Sequence, residues 1–163
     1  MTDNKKSVLT KDIKEHIDNW NKRYPEEQKR SGILEALRVV QEHEGYLTED
    51  AMVEVADYLN LPKIHVFEVA TFYSMFFKKP VGKNVLDVCT NISCMLSDAE
   101  DILDHCKKKL KIDLNQTTSD GKFTLREVEC LGACANAPVI QVGKKYYEDL
   151  TKEKVDSLIK ELE

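Results

Sequence analysis

Two close pairs of cysteines, far apart in the chain, constrain this sequence more than anything else in it. The first pair is Cys89-Thr90-Asn91-Ile92-Ser93-Cys94 and the second is Cys130-Leu131-Gly132-Ala133-Cys134. Four residues intervene in the first pair, three in the second, and 35 separate the two. Either spacing lets one short loop turn two sulfurs toward one metal atom. Only a fold that carries both loops to the same end of a sheet can join the pairs. A disulfide framework suits the count poorly, because five cysteines leave one over. Residues Met1 to Lys11 show neither an apolar core region nor an Arg-rich amphipathic pattern of a targeting segment. The chain is therefore expected in a reducing compartment, the cytoplasm, where thiols persist and metal or redox chemistry is their leading use.

The rest of the chain reads as two segments. Residues 1–9 read as a frayed polar start. Thr10 is placed to cap a helix running to about Tyr24, with Ile13, Ile17 and Trp20 on one face. Pro25 opens a second helix over Glu26 to His43, whose stripe is Ile33, Leu34, Leu37 and Val40, and Gly45 stops it. Thr48 caps a third, burying Met52, Val55, Ala56 and Leu59. A fourth, after Pro62, carries Ile64, Phe67, Val69, Ala70, Phe72, Tyr73, Phe76 and Phe77. Residues 1–79 are thus expected to form an antiparallel helical bundle.

Lys78-Lys79-Pro80-Val81-Gly82-Lys83 is the expected boundary, and residues 80–163 form the second domain. Val85–Val88 reads as a strand delivering Cys89. Ser97-Asp98-Ala99-Glu100 has capping-box form and opens a helix with Ile102, Leu103, Cys106 and Leu110 on one face. Phe123–Glu129 reads as a strand delivering Cys130. Val139–Val142 and Lys145–Tyr147 form a hairpin around Gly143-Lys144, and Thr151 caps a last helix. The fold class is α+β: a helical bundle, then an α/β domain with a small mixed sheet.

Three readings of the cysteines stay open on spacing alone. One is a [2Fe–2S] cluster with two thiolates per iron. Another is a closed four-cysteine zinc site, although zinc knuckles more often space their cysteines by two. The last is a set of unrelated buried cysteines. Gly132, Ala133 and Ala135 tilt toward iron–sulfur, since small residues let backbone N–H groups approach cluster sulfurs. Cys106 reads as a core residue, a small hydrophobe on its helix's apolar face.

Other functions find little support. The formal net charge is −5, and the short runs Lys78-Lys79 and Lys107-Lys108-Lys109 are no footprint for nucleic acid. No apolar run approaches the roughly 20 residues of a membrane helix, so no direct membrane insertion is expected. His16, His43, His65 and His105 share no ligand spacing, and no Gly-rich phosphate loop occurs. The aromatic run Phe72-Tyr73 to Phe76-Phe77 reads as core, with a docking surface as its alternative.

Residue identity adds a resemblance. Val88-Cys89-Thr90-Asn91-Ile92-Ser93-Cys94, Ser119-Asp120-Gly121-Lys122-Phe123-Thr124-Leu125, and Glu129-Cys130-Leu131-Gly132-Ala133-Cys134 with Ala137-Pro138 resemble the thioredoxin-like [2Fe–2S] ferredoxin family. The nearest form is the one the family takes in NADH:quinone oxidoreductase, respiratory complex I. Gly45-Tyr46-Leu47, Val69-Ala70-Thr71-Phe72-Tyr73-Ser74-Met75-Phe76 and Tyr146-Tyr147-Glu148-Asp149-Leu150-Thr151 are similar to that family too. The resemblance implies a thioredoxin-like second domain. It implies Cys89, Cys94, Cys130 and Cys134 as ligands of one [2Fe–2S] cluster, with no catalytic residue on this chain. It also implies a heteromeric partner, the flavin- and NADH-binding subunit, which carries the FMN and the NADH, in the peripheral arm of a bacterial membrane complex. The same family serves NAD-linked and electron-bifurcating hydrogenases and formate dehydrogenases. Cys106 and residues 1–24 receive no role from it.

Overall fold

A computed structural model describes residues 7–163. They fall into two compact units, one ending at Pro80 and the other running from Val81 to Glu163.

The first unit is helical. Helix α1 spans Lys11–Asn21, and Thr10 caps it by accepting from the Ile13 N–H at 3.4 Å. Ile13 and Ile17, one turn apart, are buried. The expected extension to Tyr24 stops three residues short. The expected helix from Glu26 is two pieces: a 3-10 segment, Glu26–Gly32, kinked at Gln28, then α2, Ile33–Glu44. Glu26–Gly32 has no apolar side chain to form a buried stripe, so nothing draws it into α-helical register with α2. Gly45 ends α2 in the left-handed region, φ +83°.

Helix α3, Glu49–Leu59, is capped by Thr48, which accepts from the Ala51 N–H at 3.1 Å. Of the frayed start expected over residues 1–9, residues 1–6 lie outside the described residues, and residues 7–9 are pinned. The Glu54 carboxylate accepts from the Val8 N–H at 3.0 Å, the Leu9 N–H at 3.3 Å and the Ser7 hydroxyl, and Leu9 is buried.

Helix α4 is Lys63–Phe72 and does not reach Phe77. The chain becomes extended at Tyr73, and Gln41 clamps the residues after it, donating to the Met75 carbonyl at 2.9 Å and accepting from the Phe77 N–H at 2.6 Å. Phe76 turns into the core and Phe72 points out, 80% exposed. Val66 and Ala70 are the core residues of α4; Ile64, named for that role on pattern, is exposed. The run is apolar all round, so periodicity could not choose a face.

The second unit is a five-stranded mixed sheet in the order β2-β3-β1-β4-β5. The strands are β1 Asn84–Cys89, β2 Gln116–Thr117, β3 Phe123–Val128, β4 Ile140–Val142 and β5 Lys145–Tyr147. Strand β1 runs parallel to β3 and antiparallel to β4. The β1–β3 crossover is made by α5, Ile92–Met95, and α6, Ala99–Leu110. Leu86 and Val88 of β1, Leu125 of β3 and Ile140 of β4 pack with Ile102 and Cys106 of α6 and with Val155 of α7, Lys152–Leu162. Each fully buried Leu, Ile or Val there is worth about 1.5–3 kcal/mol.

The capping box at Ser97 does not form. Asp98, in the left-handed region at φ +63°, takes the N-cap position with no side-chain bond, because Ser97 is used in closing α5. Neither α5 nor β2 is expected from the sequence, being four and two residues long.

Candidate metal centre

Both cysteine pairs sit where parallel strands end side by side. Cys89 is the last residue of β1 and is paired in register with Val128, the last of β3; Cys130 follows two residues on. Parallel pairing fixes both strand ends at one edge, so both loops start together.

The first loop winds into α5. Asn91 caps it, its side chain accepting from the Ile92 N–H at 2.9 Å. One turn of helix brings Cys94 back over Cys89, and both are buried. The second loop closes over them. Leu131, Ala133 and Ala137 pack on a small cluster of Cys89, Cys94, Ala99 and Val139. Gly132, at φ +74°, takes a turn other residues adopt only with strain, and its N–H meets the Cys130 sulfur at 3.4 Å. Cys134 opens a short 3-10 turn, Cys134–Asn136, before a cis Ala137–Pro138 bond.

Two other sulfurs act on Cys94. Burial pushes the Cys94 thiol up to about 11, with further upward pressure from its bond to Cys89 and from the nearby Cys89 and Cys134 sulfurs. The Val139 N–H opposes this by donating to Cys94. Cys89 donates to the Glu129 carbonyl at 3.0 Å, a bond open to the thiol but not to a thiolate. Cys130 and Cys134 are exposed at the rim, and no cysteine is in a disulfide.

Behind Cys89 on the same strand face, burial pushes the Asp87 carboxyl above its usual range, against the Arg126 guanidinium 3.1 Å away. That contact is an ion pair without a well-aligned hydrogen bond, since Asp87 Oδ1 has no hydrogen-bond partner.

The donor set fits a sulfur-ligated metal. Thiolates are soft ligands, and no imidazole stands among them. Among the described residues no group of three or more His, Cys, Asp or Glu side chains is placed to hold a metal ion. A cluster of two irons takes its thiolates in pairs, and pairs by loop are what this chain offers. The Val139 amide and the apolar lid of Leu131 and Ala137 are parts of the site that sequence reasoning missed; neither has a distinguishing residue type. Cys106 stands apart, fully buried among Ile102, Leu103 and Leu125, its thiol pushed up to about 12 by burial. Among the described residues no helix is long and apolar enough to cross a membrane.

Fold and site together describe a small α+β protein with two thiol-bearing loops that start side by side at one end of a mixed sheet. The chain belongs to the thioredoxin-like [2Fe–2S] ferredoxin family, which matches residues 17–163. It is 52% identical over 141 residues to the E-type subunit of the NADH-quinone oxidoreductase of Rickettsia felis, covering 86% of this chain and 84% of that protein. It is 50% identical over 142 residues to the corresponding protein of Rickettsia bellii, covering 86% and 85%. Its fold is similar to part of a chain in the crystal structure of an air-oxidized NAD+-reducing [NiFe]-hydrogenase, with a TM-score of 0.70 and 21% identity. That likeness covers 80% of this chain and 22% of the hydrogenase chain.

Proposed function

We propose that Cys89, Cys94, Cys130 and Cys134 hold one [2Fe–2S] cluster, and that the chain is the electron-transfer subunit carrying it in NADH-quinone oxidoreductase. The observation that supports this most is the start of both cysteine loops at the adjoining ends of β1 and β3, with sulfurs of both loops, Cys89 and Cys134, acting on Cys94. A bound cluster supplies one-electron redox chemistry between two iron valences. This chain's own residues do the rest. Asn91 and Gly132 shape the loops, the Val139 N–H offers charge to the Cys94 sulfur, and Leu131, Ala133 and Ala137 keep water from the inner pair.

In this reading residues 1–79 are a helical domain and residues 80–163 the cluster domain. The electron partner is the flavin- and NADH-binding subunit, bearing FMN and NADH, and the pair works on the cytoplasmic side of the membrane complex. The half-identical relatives carry the name of that complex, which favours it over an NAD-linked hydrogenase or a formate dehydrogenase. Metal analysis tests the centre: about two irons and two acid-labile sulfides per chain are expected, with visible absorbance lost in Cys134→Ala. One zinc per chain and a colourless protein would refute it. Copurification with the flavoprotein and a quinone-reducing arm tests the assembly; a hydrogenase catalytic subunit in their place would overturn it.

A further inference from the structure

The thiol centre lies in a face with a character of its own. The three segments that build it, residues 89–98, 127–138 and 146–149, hold five carboxylates and no lysine or arginine. They alone match the formal net charge of the whole chain, −5, so the remaining residues balance to neutrality. The negative charge is placed, not scattered. Glu127 accepts from the Thr90 hydroxyl at 2.7 Å, Glu129 from the Asn91 amide at 3.3 Å and Glu148 from the Asn136 amide at 3.0 Å. Each bond orients a carboxylate with a neutral donor from a cysteine loop and leaves its charge in place.

Inside this acidic rim the surface is apolar. Ile92 is 68% exposed and Leu96 77%, on a loop too short to hide either, and Met95 lies between them. Beside the second loop, the ring of Tyr146 on β5 is exposed while its hydroxyl donates to the Leu131 carbonyl at 2.7 Å, which fixes the ring against the loop. An apolar centre with a fixed aromatic and a charged rim is the anatomy of a protein interface. Lys154, whose ammonium donates to the Asp149 carbonyl at 2.7 Å, stands at one margin; the three oriented carboxylates keep the rim predominantly negative, which disfavours anions such as free nucleotides and favours a partner of opposite sign.

We propose that this face docks a protein partner whose contact patch is apolar at its centre and ringed by lysine and arginine. The inference rests on the reading of the chain as an electron-transfer subunit and names the chemistry of the surface its partner must present. The exposed edge of the centre and the docking patch are then one surface, which sets the shortest path for the electron.

The test uses the full-length, cluster-loaded chain and the flavin- and NADH-binding subunit, with association followed by surface plasmon resonance and the visible spectrum recorded for every variant. The association rate is expected to fall about tenfold from low to physiological ionic strength. Glu148→Lys and Glu127→Lys should slow association at low salt. Leu96→Glu should speed dissociation. Glu15→Lys, an exposed reversal on α1, should change neither. Salt-insensitive association, or unchanged rates in the rim variants with the spectrum intact, would overturn the docking surface and leave the cluster assignment standing. Failure of the flavoprotein to bind a cluster-loaded chain would overturn both the surface and the partner. A chain that binds in this salt-dependent way yet holds no iron would instead refute the cluster and leave the surface.

Discussion

Glu35 is a carboxylate taken out of water at the seam between α1 and α2. Its side chain is 6% exposed and accepts three charge-assisted bonds: from Arg38 Nε at 2.7 Å, Arg38 Nη2 at 2.6 Å and His16 Nε2 at 2.6 Å. Replacing it with alanine removes all three. The partners are not stranded, because Arg38 keeps Glu42 at 2.5 Å with a side chain 27% exposed, and His16 is nearly half exposed. The cost should therefore fall below the roughly 3–5 kcal/mol of stripping one partner from a fully buried pair. It should lie near the upper end for hydrogen bonds to charged groups, about 2–3 kcal/mol.

The protein carries its own reporter. Trp20 is the only tryptophan; it stacks on His16, with Arg23 over its ring, so its emission in urea follows the helical unit. Glu35→Ala should lower the urea midpoint with little change in slope. The pH dependence has a definite sign. Arg38 holds the Glu35 carboxyl below its usual 4.5, burial opposes this, and His16 reinforces it. A carboxyl depressed on folding stabilises the folded state fully above its unfolded pKa, and that contribution is lost as pH falls through the folded value. The gap between wild type and Glu35→Ala should be widest near neutrality and close in acid. A loss under about 0.5 kcal/mol at neutral pH, the scale of ordinary surface substitutions, would refute the reasoning. So would a gap that stays constant into acid.

Two further substitutions probe the sheet unit. Cys106→Ala should keep the visible spectrum and cost about 1–2 kcal/mol as a small core truncation; in the native wild type the thiol, pushed up to about 12, should resist iodoacetamide until urea exposes it. Fast native alkylation would refute its core role. Gly82→Ala would set a methyl 2.7 Å from the Phe123 carbonyl carbon and 2.9 Å from its nitrogen, backbone that cannot swing aside, next to the Gly82 N–H bond to Thr124 at 2.6 Å. A loss of about 3 kcal/mol, the top of the range for overpacking, is expected in thermal melts followed by near-UV circular dichroism, and a melting point equal to wild type would refute it.

Much of this molecule is legible where one physical rule acts alone. Ile13 and Ile17, Val55 and Leu59, and Val155 and Ile159 repeat at helical spacing and are buried as that spacing demands. Thr10, Thr48 and Thr151 cap the helices they precede. Legibility fails where two rules compete. Ser97 and Glu100 form a good capping box in isolation, yet α5 ends on Ser97 first and the box cannot close. Phe72 to Phe77 is apolar at almost every position, so only the tertiary clamp from Gln41 decides that the helix stops and Phe76 alone turns inward. Asn21, whose side-chain oxygen fills the space a Cβ of residue 32 would need, explains Gly32 only once both are seen together.

The same division explains why one residue type has two fates in this chain. Cys106 projects from α6 into the interior between helices and sheet, packed with apolar side chains, where the Asp156 carboxylate adds to the cost of ionising it. Cys89 and Cys94 are as deeply buried, but at a strand end, where backbone groups of the neighbouring loop must also be satisfied. Burial raises the cost of ionising Cys106 and Cys94 alike. Each sulfur has one backbone N–H that eases this, but only Cys94 has further thiols acting on it, so only there can a bound cation offset the cost and turn neighbouring thiols into ligands. The spacing of cysteines tells which sulfurs share a loop. The strand register, Cys89 beside Val128, is what starts the two loops side by side.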